Sequence, residues 1–419
     1  MASILRSSVS RTLRTLSHTK PQGWVATRHL ATLPDLLDPT TGLNEDNRDF
    51  VQAALQFAEN ELAPHAAEWD EHKIFPEEVL RAAAGMGFAG MYVREDVGGS
   101  ELTRLAGVGI TEALASGCTS TTAYLTIHNM VASMIDKFGT EEQRAQWLPS
   151  LLTMEQFASY CLTEPGAGSD AASLATRAVR DGDDFVLNGS KMFISGGGRS
   201  DVYLIMARTG GTGPKGISAF LVPSDAPGLS FGANERKLGW NSQPTAAVMM
   251  EDCRIPAANM LGAEGQGFTM AMMGLDGGRL SIAACSLGAA YRCTYLAREY
   301  TQGRTQFGAP LSNLQTVQFK LADMATELVG SRSMVRFAAS MLDEQHPNSR
   351  AYAAMAKRLA TDNCFDICNQ ALQLHGGYGY LRDYPIERFL RDARVHQILE
   401  GTNEVQRVVV GRQMATYTP

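Results

Sequence analysis

The chain has 419 residues, 44% hydrophobic and 19% charged. That is the balance of a globular protein with a substantial core, in two or three domains or one large unit. A net charge of −7 argues against a general nucleic-acid role, and no apolar run is long enough to cross a bilayer.

The first segment differs in kind from the rest. Residues 1–34 contain no Asp or Glu, while Arg6, Arg11, Arg14, Lys20 and Arg28 recur among Ser, Thr and Leu. This is the composition of a mitochondrial transit peptide, with a basic arm as the alternative, and it points to the mitochondrial matrix. Without those residues the remainder carries about −12, so an anionic ligand needs a local basic pocket.

Residues 35–154 read as a helical domain. Phe50, Ala54 and Phe57 recur on one face and Leu62 follows; Thr140 with Gln143 signals a capped helix start. Gly85, Gly87, Gly90 and Gly98-Gly99 divide the run into several helices and loops.

The texture changes over residues 155–265. Phe185–Leu187, Val202–Met206 and Ile217–Val222 are strand-like runs, and Asp181-Gly182 and Asn188-Gly189 are strong turn dipeptides. A small antiparallel β-barrel or sandwich is expected. Its first part holds a loop rich in small residues, Thr163-Glu164-Pro165-Gly166-Ala167-Gly168-Ser169-Asp170. Such a loop either closes a tight turn or wraps a planar polar ring and a pyrophosphate with backbone donors.

From 266 to the C-terminus long helical patterns return. Gly277-Gly278-Arg279 opens one, and 311–342 and 351–374 carry two more, so a four-helix bundle is expected. The fold class is therefore mainly α with a central β domain.

Near the end, Glu400 stands among Ile398, Leu399, Gly401 and Thr402. It is either an ordinary helix-start acid or a carboxylate whose burial raises its pKa, as suits a general base near neutral pH. The seven cysteines include no zinc-finger spacing and read as buried thiols; Cys364 and Cys368 share a helix face. His128, His375 and His396 have no second ligand at metal spacing, so packing or loop hydrogen bonding is expected for them, and no metal. The methionines read as core filler.

In chain order, Cys161–Asp170, Lys191–Ser195, Gly277–Arg279, Arg304-Thr305-Gln306-Phe307-Gly308, Gln373–Tyr380 and the Glu400 segment resemble the acyl-CoA dehydrogenase family of flavoenzymes. The resemblance runs from about residue 42 to the C-terminus. Gly117–Tyr124 and Gly239–Thr245 resemble the isobutyryl-specific members in particular.

The resemblance implies FAD-dependent α,β-dehydrogenation of short branched acyl-CoA thioesters, isobutyryl-CoA to methacrylyl-CoA in valine breakdown first among them. Straight-chain or 2-methylbutyryl-CoA is the alternative, and a non-catalytic assembly factor on the same fold a remote one. It also implies a homotetramer and electron transfer flavoprotein as acceptor. It makes Glu400 the α-proton base, since Gly278, where some relatives carry it, has no side chain. Tyr160, Cys161, Leu162, Thr163, Glu164, Pro165, Gly166, Ala167, Gly168 and Ser169 would line the flavin. Phe193, Ile194 and Ser195 would cover it, Phe193 standing where the family often has Trp. Arg304 and Phe307, with Leu314 and Gln315, would reach a neighbouring subunit's flavin. Gln373, Leu374, His375, Gly376 and Gly377 would meet its adenosine end, and Thr402, Asn403 and Glu404, just after the base, would also bind the flavin. Ser169, Asp276, Gly277, Gly278 and Arg279 would bind acyl-CoA, with Arg412 at the CoA end. Leu399 and the Ser116–Met130 segment would shape the acyl pocket.

Overall fold

Residues 36–416 are described in a computed structural model; the basic N-terminal segment lies outside them. The helices α1 (Glu45–Phe57), α2 (Ala66–His72), α3 (Glu77–Gly85), α4 (Arg104–Ala115), α5 (Thr119–Phe138) and α6 (Glu141–Leu152) come first. Asn44 caps α1, and Thr140 and Gln143 form the expected reciprocal cap on α6. The buried stripe of α1 is Val51 and Ala54, continuing through Ala58 and Leu62 of a single π-helical turn, Ala58–Leu62. Phe50, expected on that stripe, is 39% exposed. The π turn presents the Ala58 carbonyl to Gly117, where an added Cβ would lie 2.6 Å from that oxygen.

The middle of the chain forms one sheet from β1 (Ala158–Cys161), β2 (Arg177–Asp181), β3 (Asp184–Ser195), β4 (Val202–Arg208), β5 (Ile217–Pro223), β6 (Leu229–Phe231), β7 (Thr245–Pro256) and β8 (Met260–Leu261). The hydrogen-bonded path is β6-β7-β3-β2-β4-β5-β8, with β1 also on β4. Most pairs are antiparallel, as expected, but β1 and β2 both run parallel to β4. β4 and β5 are buried along nearly their whole length, which explains their continuous apolar runs.

Asp181-Gly182 makes its hairpin, whereas Asn188-Gly189 does not turn the chain. β3 continues through it with a bulge against β7. Asn188 is held across the pair by Asp252, accepting from its N–H at 2.9 Å and donating to its Oδ1 at 3.0 Å. Gly189 has φ +146°, and a Cβ there would meet Thr176 Oγ1 at 2.5 Å.

The last third contains α7 (Gly267–Gly303), α8 (Gln315–Asp343), α9 (Ser349–His375), α10 (Ile386–Arg394) and α11 (Asn403–Ala415). α7, α8 and α9 pack together and α11 lies on α9, while α7 also packs on α4 and α5 of the first layer. Between α7 and α8 a short hairpin of β9 (Thr305–Gln306) and β10 (Ala309–Pro310) turns through Phe307 and Gly308, both left-handed. No helix among the described residues is long and apolar enough to cross a membrane.

Candidate active site

Glu400 is three residues short of α11 and is not a helix-start acid: it has φ +56°, and Gly401 follows at φ +86°. A non-glycine residue persists in that conformation only when its surroundings over-determine it. Here Gln406 Nε2 donates to the carbonyls of Glu400 (3.1 Å) and Gly401 (2.8 Å), and Lys357 Nζ donates to Gly401 O at 2.9 Å. Thr402 Oγ1 then caps α11 by accepting from Val405 N–H. Glycine at 401 is required by its φ and by Gln406, whose Nε2 would lie 2.7 Å from a Cβ there.

The Glu400 side chain turns inward onto α7. Its Oε2 is sealed from solvent and has no hydrogen-bond partner. Burial pushes the carboxyl up to about 7, against the opposing pull of Arg279 and Lys357. The carboxylate lies over Gly278: a Cβ on that residue would be 2.6 Å from Oε2 and 2.9 Å from Oε1.

Asp276, Gly277, Gly278 and Arg279 do not open the bundle helix. They sit well inside α7, where the absent side chains of the two glycines are the point of contact. Gly277 abuts the Arg104 guanidinium, which itself stacks on Tyr92 at 3.7 Å. Arg279 is buried and donates to Asp276 Oδ1 at 2.6 Å, with its Nε unpartnered. Burial lowers its pKa.

On β1, the Tyr160 hydroxyl is also sealed and unpartnered. Burial first, and then the charge of Glu400, raise its pKa. The two side chains therefore face one low-dielectric region. In the following loop, Cys161, Leu162, Glu164 and Ala167 point inward, whereas Pro165, Gly166, Gly168 and Ser169 are exposed and Thr163 is half-buried. A Cβ on Gly166 or Gly168 would meet nothing within 4 Å. Glu164 has a structural duty. Its carboxylate pairs with buried Lys191 at 2.7 Å and accepts from the Ala175 and Thr176 N–H groups. Beside this loop Phe193 is 64% exposed at φ +58°, where the β3–β7 register shifts; Ile194 is buried and Ser195 half-buried.

A second group gathers elsewhere. Arg304, Gln373, Leu374, His375, Gly376 and Gly377 line a cavity of about 370 Å³ together with Tyr300 and Tyr378. His375 is fixed by Ala371 O at 2.8 Å and by stacking on Tyr300, so it serves packing. Phe307 stands 94% exposed at the hairpin tip. Leu314 and Gln315 begin α8 at the surface, and Glu404 and Arg412 are exposed on α11. Asn403 is buried: its Oδ1 accepts from Lys357 at 2.8 Å, and its Nδ2 donates to Thr361 and Asp362. None of Tyr160–Ser169, Phe193–Ser195 or Glu400 lines that cavity.

The two segments that carry the isobutyryl resemblance touch. Thr121 Oγ1 and Ser242 Oγ are 3.1 Å apart, Cys118 Sγ approaches both hydroxyls, and Gln243 Nε2 reaches Ser120 O at 3.5 Å. Next to them Trp240 Nε1 donates to His396 Nε2 at 3.2 Å, and His396 Nδ1 meets Ser286 Oγ at 2.7 Å. Burial pushes His396 down to about 3, so it is a neutral spacer just upstream of Glu400.

Known proteins agree with this architecture. The acyl-CoA dehydrogenase N-terminal domain matches residues 44–155, the middle domain 159–253 and the C-terminal domain 265–415. Mitochondrial isobutyryl-CoA dehydrogenase of Bos taurus is 58% identical over 90% of this chain and 91% of its own length. The chain belongs to the acyl-CoA dehydrogenase family. It is an enzyme of that flavin-dependent oxidoreductase class. Butyryl-CoA dehydrogenase from Megasphaera elsdenii has the same fold, with a TM-score of 0.86 at 39% identity over 89% of this chain and 99% of that one. So does PigA, solved with FAD and proline, with a TM-score of 0.87 at 29% identity over 90% and 99%.

Lys357 and Gln406 escaped the sequence reading. Lys357 lies on an alanine stripe of α9, among Ala353, Ala354, Ala356 and Ala360, all buried. A lysine on such a face was the available signal.

Proposed function

We propose that this acyl-CoA dehydrogenase oxidises short branched acyl-CoA thioesters, isobutyryl-CoA to methacrylyl-CoA first among them, using FAD, with Glu400 as the base. The single observation that carries the reading is the sealed, unpartnered Glu400 Oε2 over Gly278. The 58% identity to isobutyryl-CoA dehydrogenase supports the substrate.

The residues present suit a flavin. Small, open Gly166 and Gly168, half-buried Thr163 and the exposed left-handed Phe193 offer backbone donors and an aromatic face. Arg304 and the Gln373–Gly377 cavity suit a diphosphate and its adenosine. That none of Tyr160–Ser169, Phe193–Ser195 or Glu400 lines that cavity supports a site shared between subunits, as in the homotetramer that the family implies. Bound FAD would supply the redox half of the reaction, taking up the β-hydrogen with its electron pair.

The chain's own residues do the rest. Ionised Glu400 removes the α-proton while the electron pair left behind forms the new Cα=Cβ bond. Its raised pKa makes that proton transfer feasible near neutral pH. The Glu400 N–H serves as a donor to the thioester oxygen, where charge builds. Arg279, held by Asp276, lies beside the carboxylate, and the Ser116–Met130 segment, where Thr121 meets Ser242, would shape the acyl pocket.

Electron transfer flavoprotein as acceptor follows from the family. The mitochondrial matrix is supported by the mitochondrial Bos taurus relative and the acid-free first 34 residues. The domain division proposed is 35–154, 155–265 and 266–419. The test is anaerobic bleaching of the purified yellow protein by isobutyryl-, butyryl- and 2-methylbutyryl-CoA. Fastest bleaching by isobutyryl-CoA is expected, and a strong preference for butyryl-CoA would overturn the substrate.

A further inference from the structure

Lys357 is fully buried, yet its Nζ donates only to neutral acceptors among its recorded hydrogen bonds: Gly401 O at 2.9 Å and Asn403 Oδ1 at 2.8 Å. The Gly401 carbonyl already accepts from Gln406 Nε2 at 2.8 Å. An ammonium is therefore more than this carbonyl needs. Burying one against neutral partners is unfavourable unless an anion is near. The carboxylate that faces it is that of Glu400, one residue before the carbonyl it grips, with its Oε2 sealed from solvent. The left-handed pair Glu400 and Gly401 needs outside restraint, and Lys357 supplies it from α9, a long helix packed against α7.

We propose that Lys357 is a positioning residue for proton abstraction: by clamping Gly401 it holds Glu400 in its left-handed conformation over Gly278, and its buried charge favours the ionised form of that carboxylate. This rests on the reading of Glu400 as the base. The titratable groups that face this pair come from each neighbouring element. Arg279 on α7 and Tyr160 on β1 face Glu400, while Asp362 on α9, Glu404 on α11 and the neutral His396 lie around Lys357. Of the two cations opposing the rise of the Glu400 carboxyl, Arg279 is ion-paired to Asp276 at 2.6 Å and Lys357 is not ion-paired in this way. Lys357 is thus the freer counter-charge.

The test measures flavin reduction by isobutyryl-CoA against pH in flavin-loaded wild type, K357M, K357Q, K357R, Q406L and E400Q. K357M and K357Q are expected to slow reduction at pH 7 about tenfold, chiefly in kcat, and to move the apparent pKa of the reaction upward, because the carboxylate loses a favourable charge. K357R should restore much of both. Q406L removes a neutral donor from the same carbonyl, so it should slow reduction at every pH without moving that pKa. An unmoved pKa in K357M and K357Q, or an equal shift in Q406L, would overturn the role given to Lys357. E400Q separates the two ideas. If it still bleaches with the wild-type pH step, the base itself is misassigned. If it is inactive while the Lys357 variants behave as wild type, only the present inference fails. Should K357M not retain flavin, K357Q and K357R decide the question.

Discussion

Replacing Gly278 with alanine separates catalysis from folding at one atom. The added Cβ would lie 2.6 Å from Glu400 Oε2, 2.8 Å from Cδ and 2.9 Å from Oε1. An ordinary contact needs about 3.5 Å, so the carboxylate must retreat by roughly 1 Å. The carboxylate is the far end of a flexible side chain, and moving it leaves the fold intact. A misplacement of about 1 Å at a reacting group lowers the rate on the order of 100-fold. Gly278 lies inside α7, where alanine favours helix by up to about 1 kcal/mol. G278A should therefore unfold at the same or a higher temperature than wild type, keep its flavin, and bleach with isobutyryl-CoA about 100-fold more slowly. Stopped-flow absorbance and thermal unfolding of one preparation read both effects. Wild-type bleaching in a stable G278A protein would refute the placement of the base over this glycine. A rate loss that merely tracks loss of fold would refute it too.

Other expectations follow from the same contacts. The Glu400 carboxyl is raised from 4.5 to about 7, so the folded state holds a proton that the unfolded chain gives up. This stabilises the fold below about pH 4.5 and is lost as pH rises through 7. The melting temperature of E400Q relative to wild type should accordingly rise from pH 5 to pH 8; a constant difference would contradict the burial. W240F removes the N–H that satisfies buried His396 Nε2, and should cost about 1–3 kcal/mol in denaturant unfolding. An unchanged midpoint would show that His396 finds another partner. G189A places a Cβ against Thr176 at a φ of +146°, and should destabilise by about 1–3 kcal/mol without altering substrate preference. A neutral outcome would mean that the β3 bulge is free to relax.

Much of this was legible from periodicity. The change from helical to strand-like runs and back marks the three regions, and Thr140 with Gln143 marks a real cap. What escaped depended on partners distant in sequence. Asn188-Gly189 has the chemistry of a turn, but Asp252 holds it as a bulge in a continuous strand. Gly277-Gly278-Arg279 read as a helix start, yet α7 already begins at Gly267, and the two glycines make room for Arg104 and Glu400 where side chains would otherwise stand. Glu164 sits in a loop that suits ligand binding, but Lys191 claims its carboxylate. On α1, the π turn continues the buried stripe from Val51 and leaves Phe50 outside. For Glu400 the local sequence left two readings open, and its neighbour Ile398 is exposed; the sealed Oε2, the left-handed backbone and the restraint by Lys357 and Gln406 needed the fold.

The most direct measurement of the central claim is the rate of anaerobic flavin bleaching by isobutyryl-CoA between pH 5 and 9, in wild type and E400Q. The wild-type rate should climb with pH through an apparent pKa near 7, as Glu400 ionises. The glutamine variant, still yellow, should show neither the rate nor the step. A glutamine variant that bleaches at the wild-type rate, with the same rise, would contradict the account.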